Sequence, residues 1–538
     1  MNKEMTKQRS PWVPFLSLLF AAFVVVEAMA FQMPVLPVIT REFGIPVALS
    51  GLIALCYYLA HTVFGPVFGH IADQIGRKKI VLIGFSIFAF AEFMAALSPN
   101  FGFFLFARFI QGVGAACIIP AALSYASYLF PAQKRGTAFG VYSGISALGA
   151  AAGGIFGGML VGNLGWHSVY YFTGTISIIG LILVWATLPE TESKERTPFD
   201  FIGSLLLLTS IGSLLSVTLL IANVGLTSPL TIGVFALGIL LAILFWFYES
   251  KTKHPFLDVS FLKNRKFIVP LLIVFMLSIY FQGIIYSTVF FTTLKPGGGP
   301  EITGMLTSFI YLSSTLAGFI GGKIIDTFRI KRVIVTCVIG YIFGLIMFSQ
   351  FSINTAFWYI TLTISIMALT NGIIVVAAMK MAMTTVPEEK LGSGSGTFIM
   401  IRDIGTPTGQ TAGLSLFGAI SASSLSLAIA DQSKNAGIDE RFLPAIQDAA
   451  VTSGKTVDPS LTEHLNQLGI KFMDIFNSAQ LDGMILALNK MGIIVLVLAA
   501  IPLILTFFLP NLPNEKANKT KEEIIPQDMS GSPLNTSK

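Results

Sequence analysis

Long apolar runs separated by short polar loops repeat along nearly the whole chain. The runs are about 20 residues long, which is the length of helix that crosses a hydrocarbon core of about 30 Å. Because a backbone inside lipid has no water to bond, we expect these runs to be helices. We place fourteen spans, at 12–36, 46–68, 80–98, 102–129, 137–162, 166–188, 201–222, 229–248, 267–292, 302–322, 333–352, 355–379, 394–428 and 491–509.

The composition agrees with this pattern. Of 538 residues, 54% are hydrophobic and only 12% are charged, and the mean hydropathy is +0.77. A soluble core of this length does not need so much apolar surface, so the predicted fold class is an all-α membrane protein. Cys56, Cys117 and Cys337 lie inside apolar runs and lack the spacing of a zinc site, so we predict no metal site and no disulfide framework.

Basic residues are distributed unevenly between the two sides of the predicted membrane. Of 34 Lys and Arg residues, Arg108 and Arg402 fall inside spans, and 25 lie on the side of both termini. The seven on the other side are Arg41, Lys295, Lys434, Arg441, Lys455, Lys471 and Lys490. By the positive-inside rule both termini are cytoplasmic, in a multi-pass protein of the cell membrane. The basic residues behind the net charge of +6 therefore set the topology, and we expect them to contact membrane lipids. We predict no nucleic-acid partner.

One loop sequence occurs twice. Residues 69–79 follow span 2 and residues 322–332 follow span 10, and both contain Gly-x-Ile-x-Asp and then a basic cluster. Such a repeat is expected when a six-span unit has been duplicated, with substrate bound between the halves. We predict two six-helix bundles, at 1–200 and 251–510, with two extra transmembrane helices inserted between them at 201–250.

Two further segments differ from the spans. Residues 430–485 are polar, with apolar positions at roughly helical spacing, and are predicted to form a small outer helical cap. The cap either shields a substrate or merely limits access and aids folding. The tail 511–538 is rich in Pro, Asn, Lys and Glu and is predicted to lack fixed structure on the cytoplasmic side.

Several short motifs resemble those of the major facilitator superfamily. The loop after span 2 matches its signature loop at Gly69, Asp73, Gly76, Arg77 and Lys78. Span 4 is similar to its second motif, at Arg108, Gln111, Gly112, Gly114, Ala115 and Ala116. The segments around spans 7 and 8, with Asp200-Phe-Ile-Gly203, Glu249 and His254 to Asp258, look like the fourteen-span drug:proton antiporter branch. The resemblance covers about residues 12–429 and the last span, and it implies export in exchange for protons.

The resemblance also implies an inner gate. The family's aspartate that matches Asp73 caps a helix of the opposite half, here the stretch from Gly392 to Gly396, and a carboxylate at a helix start contributes about 1 kcal/mol. Asp326 occupies the matching place in the second loop. The alternative is that the loops only enforce topology.

Ionisable residues inside spans are costly, at about 2.5–3.5 kcal/mol at the bilayer centre, so each is expected to face a cavity or a partner. The predicted proton-coupling residues are Glu27, Glu92, Arg108, Arg402 and Asp403. Glu27 and Arg108 are expected to lie close together, as a proton-coupling pair or as a static salt bridge. Glu92 either belongs to this group or lies near the outer headgroups. Arg402 and Asp403 point about 100° apart, so we expect them not to share a partner, and one of them is a candidate contact for Glu27.

Span 5 departs from the antiporter motif. Ala150 replaces its proline and Ile145 its first glycine, although Gly149, Gly153 and Gly154 keep the helix surface small enough for close packing. The missing proline bears on antiport specifically rather than on transport. We expect these glycines to contribute to gating.

The predicted substrate contacts are polar or aromatic residues inside spans, namely Phe31, Gln32, Tyr57, Gln282 and Asn371. The substrate is expected to be a small hydrophobic, amphipathic or cationic compound, and a monomer without cofactors is expected. A lipid or lipid-linked molecule is the alternative substrate, and a non-transporting membrane sensor is the alternative from another class. The chain has no phosphate-binding loop and no hydrolase or zinc-protease motif, so neither an ATP-driven pump nor an enzyme is predicted.

Overall fold

The computed structural model describes residues 11–510 apart from 131, 191–199, 226, 253–258, 388–390 and 452–457. The described residues are helical almost throughout, and none of them belongs to a β-strand. This confirms the predicted all-α fold class. The segment from His254 to Asp258 and the tail 511–538, both assigned above from sequence, lie outside the described residues.

Seven helices form the N-terminal part of the molecule. They are α1 (Trp12–Ala30), α2 (Gln32–Glu42), α3 (Val47–Ile75), α4 (Arg77–Ala96), α5 (Phe101–Leu129), α6 (Ala132–Leu164) and α7 (His167–Thr187). The predicted first span is interrupted between α1 and α2. Pro34 explains the break, because a proline ring displaces the carbonyl four residues earlier, here that of Ala30.

Two helices follow, α8 (Phe201–Val224) and α9 (Pro229–Glu249), where the sequence predicted an insertion. The C-terminal part then contains α10 (Arg265–Leu294), α11 (Pro300–Thr327), α12 (Ile330–Phe348), α13 (Phe357–Met383), α14 (Leu391–Asn435), α15 (Leu443–Val451), α16 (Pro459–Gln467), α17 (Phe472–Leu498) and α18 (Ala500–Phe507). Short 3-10 helices lie at Val259–Lys263 and Glu440–Phe442.

Within the described residues, thirteen helical segments are long and apolar enough to cross a membrane. A shorter apolar segment, Phe201–Val217, lies where the seventh span was predicted. The count of fourteen spans therefore stays a prediction.

The helix that contains the last predicted span, 491–509, begins earlier, at Phe472. A continuous apolar segment runs from Phe472 to Phe507, because polar side chains along it find partners in neighbouring helices. The Asn489 amide donates to the Phe351 carbonyl at 3.0 Å, and Gln432 donates to Asp482 at 2.6 Å.

The helices pack as two bundles. Helices α1 to α7 pack mainly on one another, and so do α10 to α14 with α17 and α18. Helix α8 packs against α9 and also touches α3 and α14, so the inserted pair is attached to both bundles through α8. The structure thus has the predicted arrangement of two bundles with an inserted pair, while the exact domain limits stay predictions.

The bundles touch each other near one end of the molecule. Helix α6 packs on α11, where the Ser308 hydroxyl donates to the Ala151 carbonyl at 2.7 Å, and α3 packs on α14, where Gly51 lies against Thr411. We call this the distal end, and we call the end that carries Trp12 and Leu509 the terminal end. Toward the terminal end, Cβ atoms built on Gly144 and Gly396 would meet no described atom within 4 Å. The contacts between the bundles that are described here therefore lie toward the distal end.

The described residues of the range 430–485 form a small structure of their own at the distal end. Helices α15 and α16 pack beside the end of α14 and the start of α17 around a separate apolar cluster. Its buried members are Ile429, Ile438, Ile446, Ala449, Leu461, Leu465, Phe472, Ile475, Phe476 and Ala479. The helical spacing seen in the sequence corresponds to this cluster.

Candidate functional site

A chain of polar side chains crosses the interior of the N-terminal bundle, centred on Arg108 of α5. The Arg108 guanidinium donates through Nη2 to Gln32 Oε1 at 2.9 Å and through Nη1 to Gln111 Oε1. The Gln111 amide in turn donates to Glu92 Oε1 of α4. Arg108, Gln111 and Glu92 have no exposed surface. Gln111 therefore connects a buried cation to a buried carboxyl group.

Glu27 of α1 lies in the same bundle and is 1% exposed. Its Oε2 accepts a hydrogen bond of 3.2 Å from the Thr173 hydroxyl of α7, while Oε1 has no hydrogen-bond partner among the described residues. The carboxyl groups of Glu27 and Glu92 are close enough to interact electrostatically. We call Glu27, Glu92, Arg108, Gln111 and Gln32 the buried network.

The buried network contains two carboxyl groups and one guanidinium. Arg108 can compensate one carboxylate, and a second buried carboxylate without a cation is disfavoured by several kcal/mol. A buried acid avoids that cost by binding a proton. The arrangement can therefore hold a proton when closed to water and release it when water reaches it.

Two predicted contacts of these residues were wrong. No hydrogen bond or ion pair joins Glu27 to Arg108 among the described residues, because Gln32 and Gln111 occupy the guanidinium. Neither Arg402 nor Asp403 meets Glu27 in this structure. They pair with each other instead, with Arg402 Nη2 at 2.6 Å from Asp403 Oδ1. Their side chains are 30% and 41% exposed.

Small residues on α6 allow this helix to approach both α1 of its own bundle and the opposite bundle closely. A Cβ on Gly153 would lie 2.4 Å from the Glu27 carbonyl oxygen, and one on Gly154 would lie 2.7 Å from the Gly304 carbonyl oxygen. Gly149 meets the Phe23 carbonyl of α1 in the same way. Helix α6 continues without interruption past Ala150, as expected without the proline. Helix α6 therefore contacts the backbone of Glu27 through Gly153 and the opposite bundle through Gly154.

The residues of the signature loop lie at the terminal end, around the junction of α3 and α4. Gly69 is in α3, and Gly76 has a φ of +103°, a conformation that side chains disfavour, so it permits the turn. Arg77 begins α4, and Lys78 Nζ lies 4.0 Å from Glu190. The side chains of Asp73 and Asp326 lie outside the described part of the structure. Their gating roles stay predictions.

The five predicted substrate contacts fall into two groups. Phe31, Gln32 and Tyr57 are at most 1% exposed, so in this conformation they offer no surface to a solute. Phe31 packs edge-on against Tyr170, and the Tyr57 ring lies under the Arg108 guanidinium at 4.7 Å. By contrast, Gln282 and Asn371 of the C-terminal bundle are half-buried, and their side-chain carbonyl oxygens have no partner among the described residues.

The sequence analysis did not identify some polar residues of the interior, or gave them no role. Gln111 lies three residues after Arg108 and so shares its helix face, which is a signal that could have assigned it. Thr173, Tyr311 and Gln410 gave no such signal, because their partners are distant in sequence.

The fold and this interior together define a class of protein. Two helical bundles that pack on each other, with ionisable groups inside, are the architecture of a multi-pass membrane transporter rather than an enzyme. The chain belongs to the Major Facilitator Superfamily, whose sequence profile matches residues 18–410.

Proteins with related sequences carry transporter names. The chain is 26% identical to the multidrug resistance protein Stp of Mycobacterium tuberculosis over 396 residues, which are 73% of this chain and 72% of Stp. It is 26% identical to the multidrug transporter protein MdtP of Bacillus subtilis over 386 residues, 72% of this chain and 70% of MdtP.

A solved structure shares the fold. It is the inward-facing, unoccupied form of a bacterial homolog to the human lysosomal transporter Spinster. The TM-score is 0.65 at 15% identity, and the match covers 94% of this chain and 98% of that one.

Proposed function

We propose that this protein exports hydrophobic or cationic drug-like compounds in exchange for protons, by alternating access. The observation that carries the proposal is the unequal charge of the buried network. Two acids and only one guanidinium lie in this lipid-embedded interior, so the closed state favours one bound proton. Opening the network to water favours its loss.

The position of Glu27 supports coupling between this proton and the movement of the bundles. Gly153 of α6 lies directly on the Glu27 backbone, and the next residue, Gly154, packs on Gly304 of α11. A change in the charge of Glu27 alters how α1 and α6 pack, and α6 is one of the helices that close the distal end. A local protonation event is thereby linked to the contact between the bundles.

The topology gives the direction of transport. With both termini cytoplasmic in the cell membrane, the terminal end faces the cytoplasm, where an exporter collects its substrate. The signature-loop residues Gly69, Asp73, Gly76, Arg77 and Lys78, with Asp326, would then form the inner gate.

The substrate class is supported by the interior of the C-terminal bundle and by the names of the relatives. Tyr286 and Tyr311 lie in this bundle, and the side-chain carbonyl oxygens of Gln282 and Asn371 have no partner among the described residues. Aromatic faces accommodate apolar and cationic rings, and a few amides fix orientation. Stp and MdtP are both named for multidrug transport.

The test is dye efflux from energised vesicles that contain wild type or Glu27→Gln. The variant keeps the size of the side chain but cannot change charge, so we expect gradient-driven efflux to be lost while downhill exchange continues. Glu440→Gln is the matched control, because Glu440 is exposed and distant from the buried network. Unchanged uphill efflux by Glu27→Gln would remove Glu27 from the mechanism.

A further inference from the structure

A long groove lies between the inserted pair of helices and the N-terminal bundle. Its volume is about 830 Å³, and residues of α3, α8 and α9 line it. Helices α8 and α9 meet at Leu214 and Gly238, where a Cβ on Gly238 would lie 2.8 Å from the Leu214 side chain. The residues just before these two, Ser213 and Leu237, both line the groove, so it runs beside the contact between the helices. The proposed transport mechanism does not use it.

The groove exists because one face of α8 carries small side chains. Thr209, Ser213 and Ser216 line it, and their spacing of four and three residues places them on the same helix face. The other side of the inserted pair is different. There, Phe245 of α9 and Met400 of α14 belong to one packed apolar cluster. Large side chains thus fill the space toward the C-terminal bundle and leave the side toward the N-terminal bundle concave.

The walls of the groove are apolar. Leu49 and Leu52 of α3 and Val234, Leu237 and Leu241 of α9 complete the lining, and none of the described lining residues is ionisable. The three hydroxyl groups on α8 donate to carbonyls of their own helix at 2.7–2.8 Å, so they need no outside partner. Sites for drug-sized molecules contain a few polar groups that fix the orientation of the ligand. A plain hydrocarbon chain therefore fits these walls better than a drug-like compound does.

The length and depth of the groove match one leaflet of a bilayer. It begins at Leu220, one turn before α8 ends at Val224 on the distal side, and it reaches Thr209, about 16 Å further along the helix. Half of a hydrocarbon core is about 15 Å thick. Around the groove, α9 exposes large apolar side chains such as Phe235 at 51% and Leu240 at 53%. The groove therefore opens to lipid and extends from near the membrane surface to about the midplane.

We propose that this groove binds one acyl chain of a membrane lipid from the leaflet on the distal side. Inside a bilayer the hydrophobic effect does not favour one apolar contact over another, so close packing decides where a chain stays. A chain in the groove touches three helices at once and gains more van der Waals contacts than a chain on the convex surface of one helix. It also bridges α9 and α3, and so holds the inserted pair to the N-terminal bundle. This inference does not rest on the proposed export function.

The experiment maps the contacts of a photoreactive lipid. The full-length protein is reconstituted in nanodiscs of phosphatidylcholine that include a phosphatidylcholine with a diazirine in one acyl chain. After illumination, mass spectrometry of the peptides locates the label. We expect the label to concentrate on α8, α9 and the start of α3. Equal labelling of all lipid-facing helices would overturn the inference, because it would show only ordinary boundary lipid.

Variants that fill the groove test its role directly. We expect Ser213→Phe to lower the label on α8 and α9 about fivefold, because the ring removes roughly ten van der Waals contacts between the chain and the walls. Val234→Phe fills the groove from α9, in case the first variant folds poorly. Ser313→Phe is the matched control and should leave the label unchanged. Ser313 lies on α11, away from the groove, and its hydroxyl also donates to its own helix, at 2.8 Å.

The remaining outcomes separate the lipid from the transported compound. Full labelling in both Ser213→Phe and Val234→Phe would overturn the inference. So would loss of the label on adding an excess of the transported dye, since the dye rather than a lipid would then occupy the groove. If Glu27→Gln kept its uphill efflux, the proposed function would fail, yet a label that depends on an open groove would still establish the lipid site.

Discussion

The two bundles share one helical plan but differ in how they hold charge. In the N-terminal bundle, Arg108 and Glu92 have no exposed surface and Glu27 has 1%. In the C-terminal bundle, the Arg402 and Asp403 side chains are 30% and 41% exposed and neutralise each other as neighbours on one helix. The first bundle thus holds an uneven set of charges away from water, and the second holds an even pair beside it.

This difference shows why counting ionisable residues in spans does not suffice to find the site of coupling. A half-exposed ion pair is solvated and screened, so its contribution is about 0.2–1 kcal/mol. Removing one partner from a buried pair costs about 3–5 kcal/mol, because an uncompensated charge stays behind. Of these two sets of charges, the one in the N-terminal bundle therefore offers the larger energy difference between two protonation states.

The largest expected effect comes from Arg108→Met. The change leaves Gln32, Gln111 and both acids without their cation, and we expect a loss of about 3–5 kcal/mol of stability. The thermal unfolding temperature of the purified protein in detergent is the measurement. The loss should be smaller at low pH, where protons replace the missing charge on the carboxyl groups.

The double variant Arg108→Met with Glu92→Gln is the control for this prediction. It removes the orphaned carboxylate, so it should recover part of the lost stability. A double variant that is less stable than Arg108→Met would mean that lost packing, rather than an uncompensated charge, explains the loss of stability in the N-terminal bundle.

A middle effect is expected from Gly153→Ala on α6. The added Cβ has no room beside the Glu27 carbonyl, so α6 must move away from α1, at about 1–3 kcal/mol. Gly144→Ala on the same helix is the matched control. Nothing described lies within 4 Å of its Cβ, and it should gain up to about 1 kcal/mol from helix propensity. Equal unfolding temperatures for the two variants would show that α6 does not need this close approach.

The smallest effect is expected from Arg402→Met in the C-terminal bundle. The pair is partly solvated, so breaking it should cost less than about 1 kcal/mol, and high salt should reduce even that difference. The same unfolding measurement at two salt concentrations checks it. A loss as large as that of Arg108→Met would mean that both bundles depend on their charges alike.

Much of the fold could be predicted from sequence, because a lipid environment leaves a backbone few choices. The apolar runs gave the helices, and the repeated loop gave two bundles with a pair of helices between them. The predicted limits of the helices were inaccurate where tertiary contacts or a proline outweighed the local hydrophobic composition. Pro34 divided the first span, and Asn489 and Asp482 stayed inside the last helix because other helices supply their partners.

For the candidate site, the sequence predicted which residues belong to it but not which of them contact each other. The cost of an ionisable residue in lipid singled out Glu27, Glu92, Arg108, Arg402 and Asp403, since that cost depends on residue type and position in the span alone. Their pairing could not be deduced. The contacts Glu27–Thr173 and Glu92–Gln111–Arg108 join different helices. Arg402 pairs with the adjacent Asp403 rather than with a distant acid.

The amino-acid sequence by itself determined that this chain spans a membrane many times, in two related halves, with a few charges stored inside. Hydrophobicity and periodicity are local properties, and a single chain displays them. Only the tertiary structure decided which acid meets which base, which glycines touch across the bundles, and where the bundles pack on each other. Those features depend on distances between helices, and such distances are set when all the helices pack together.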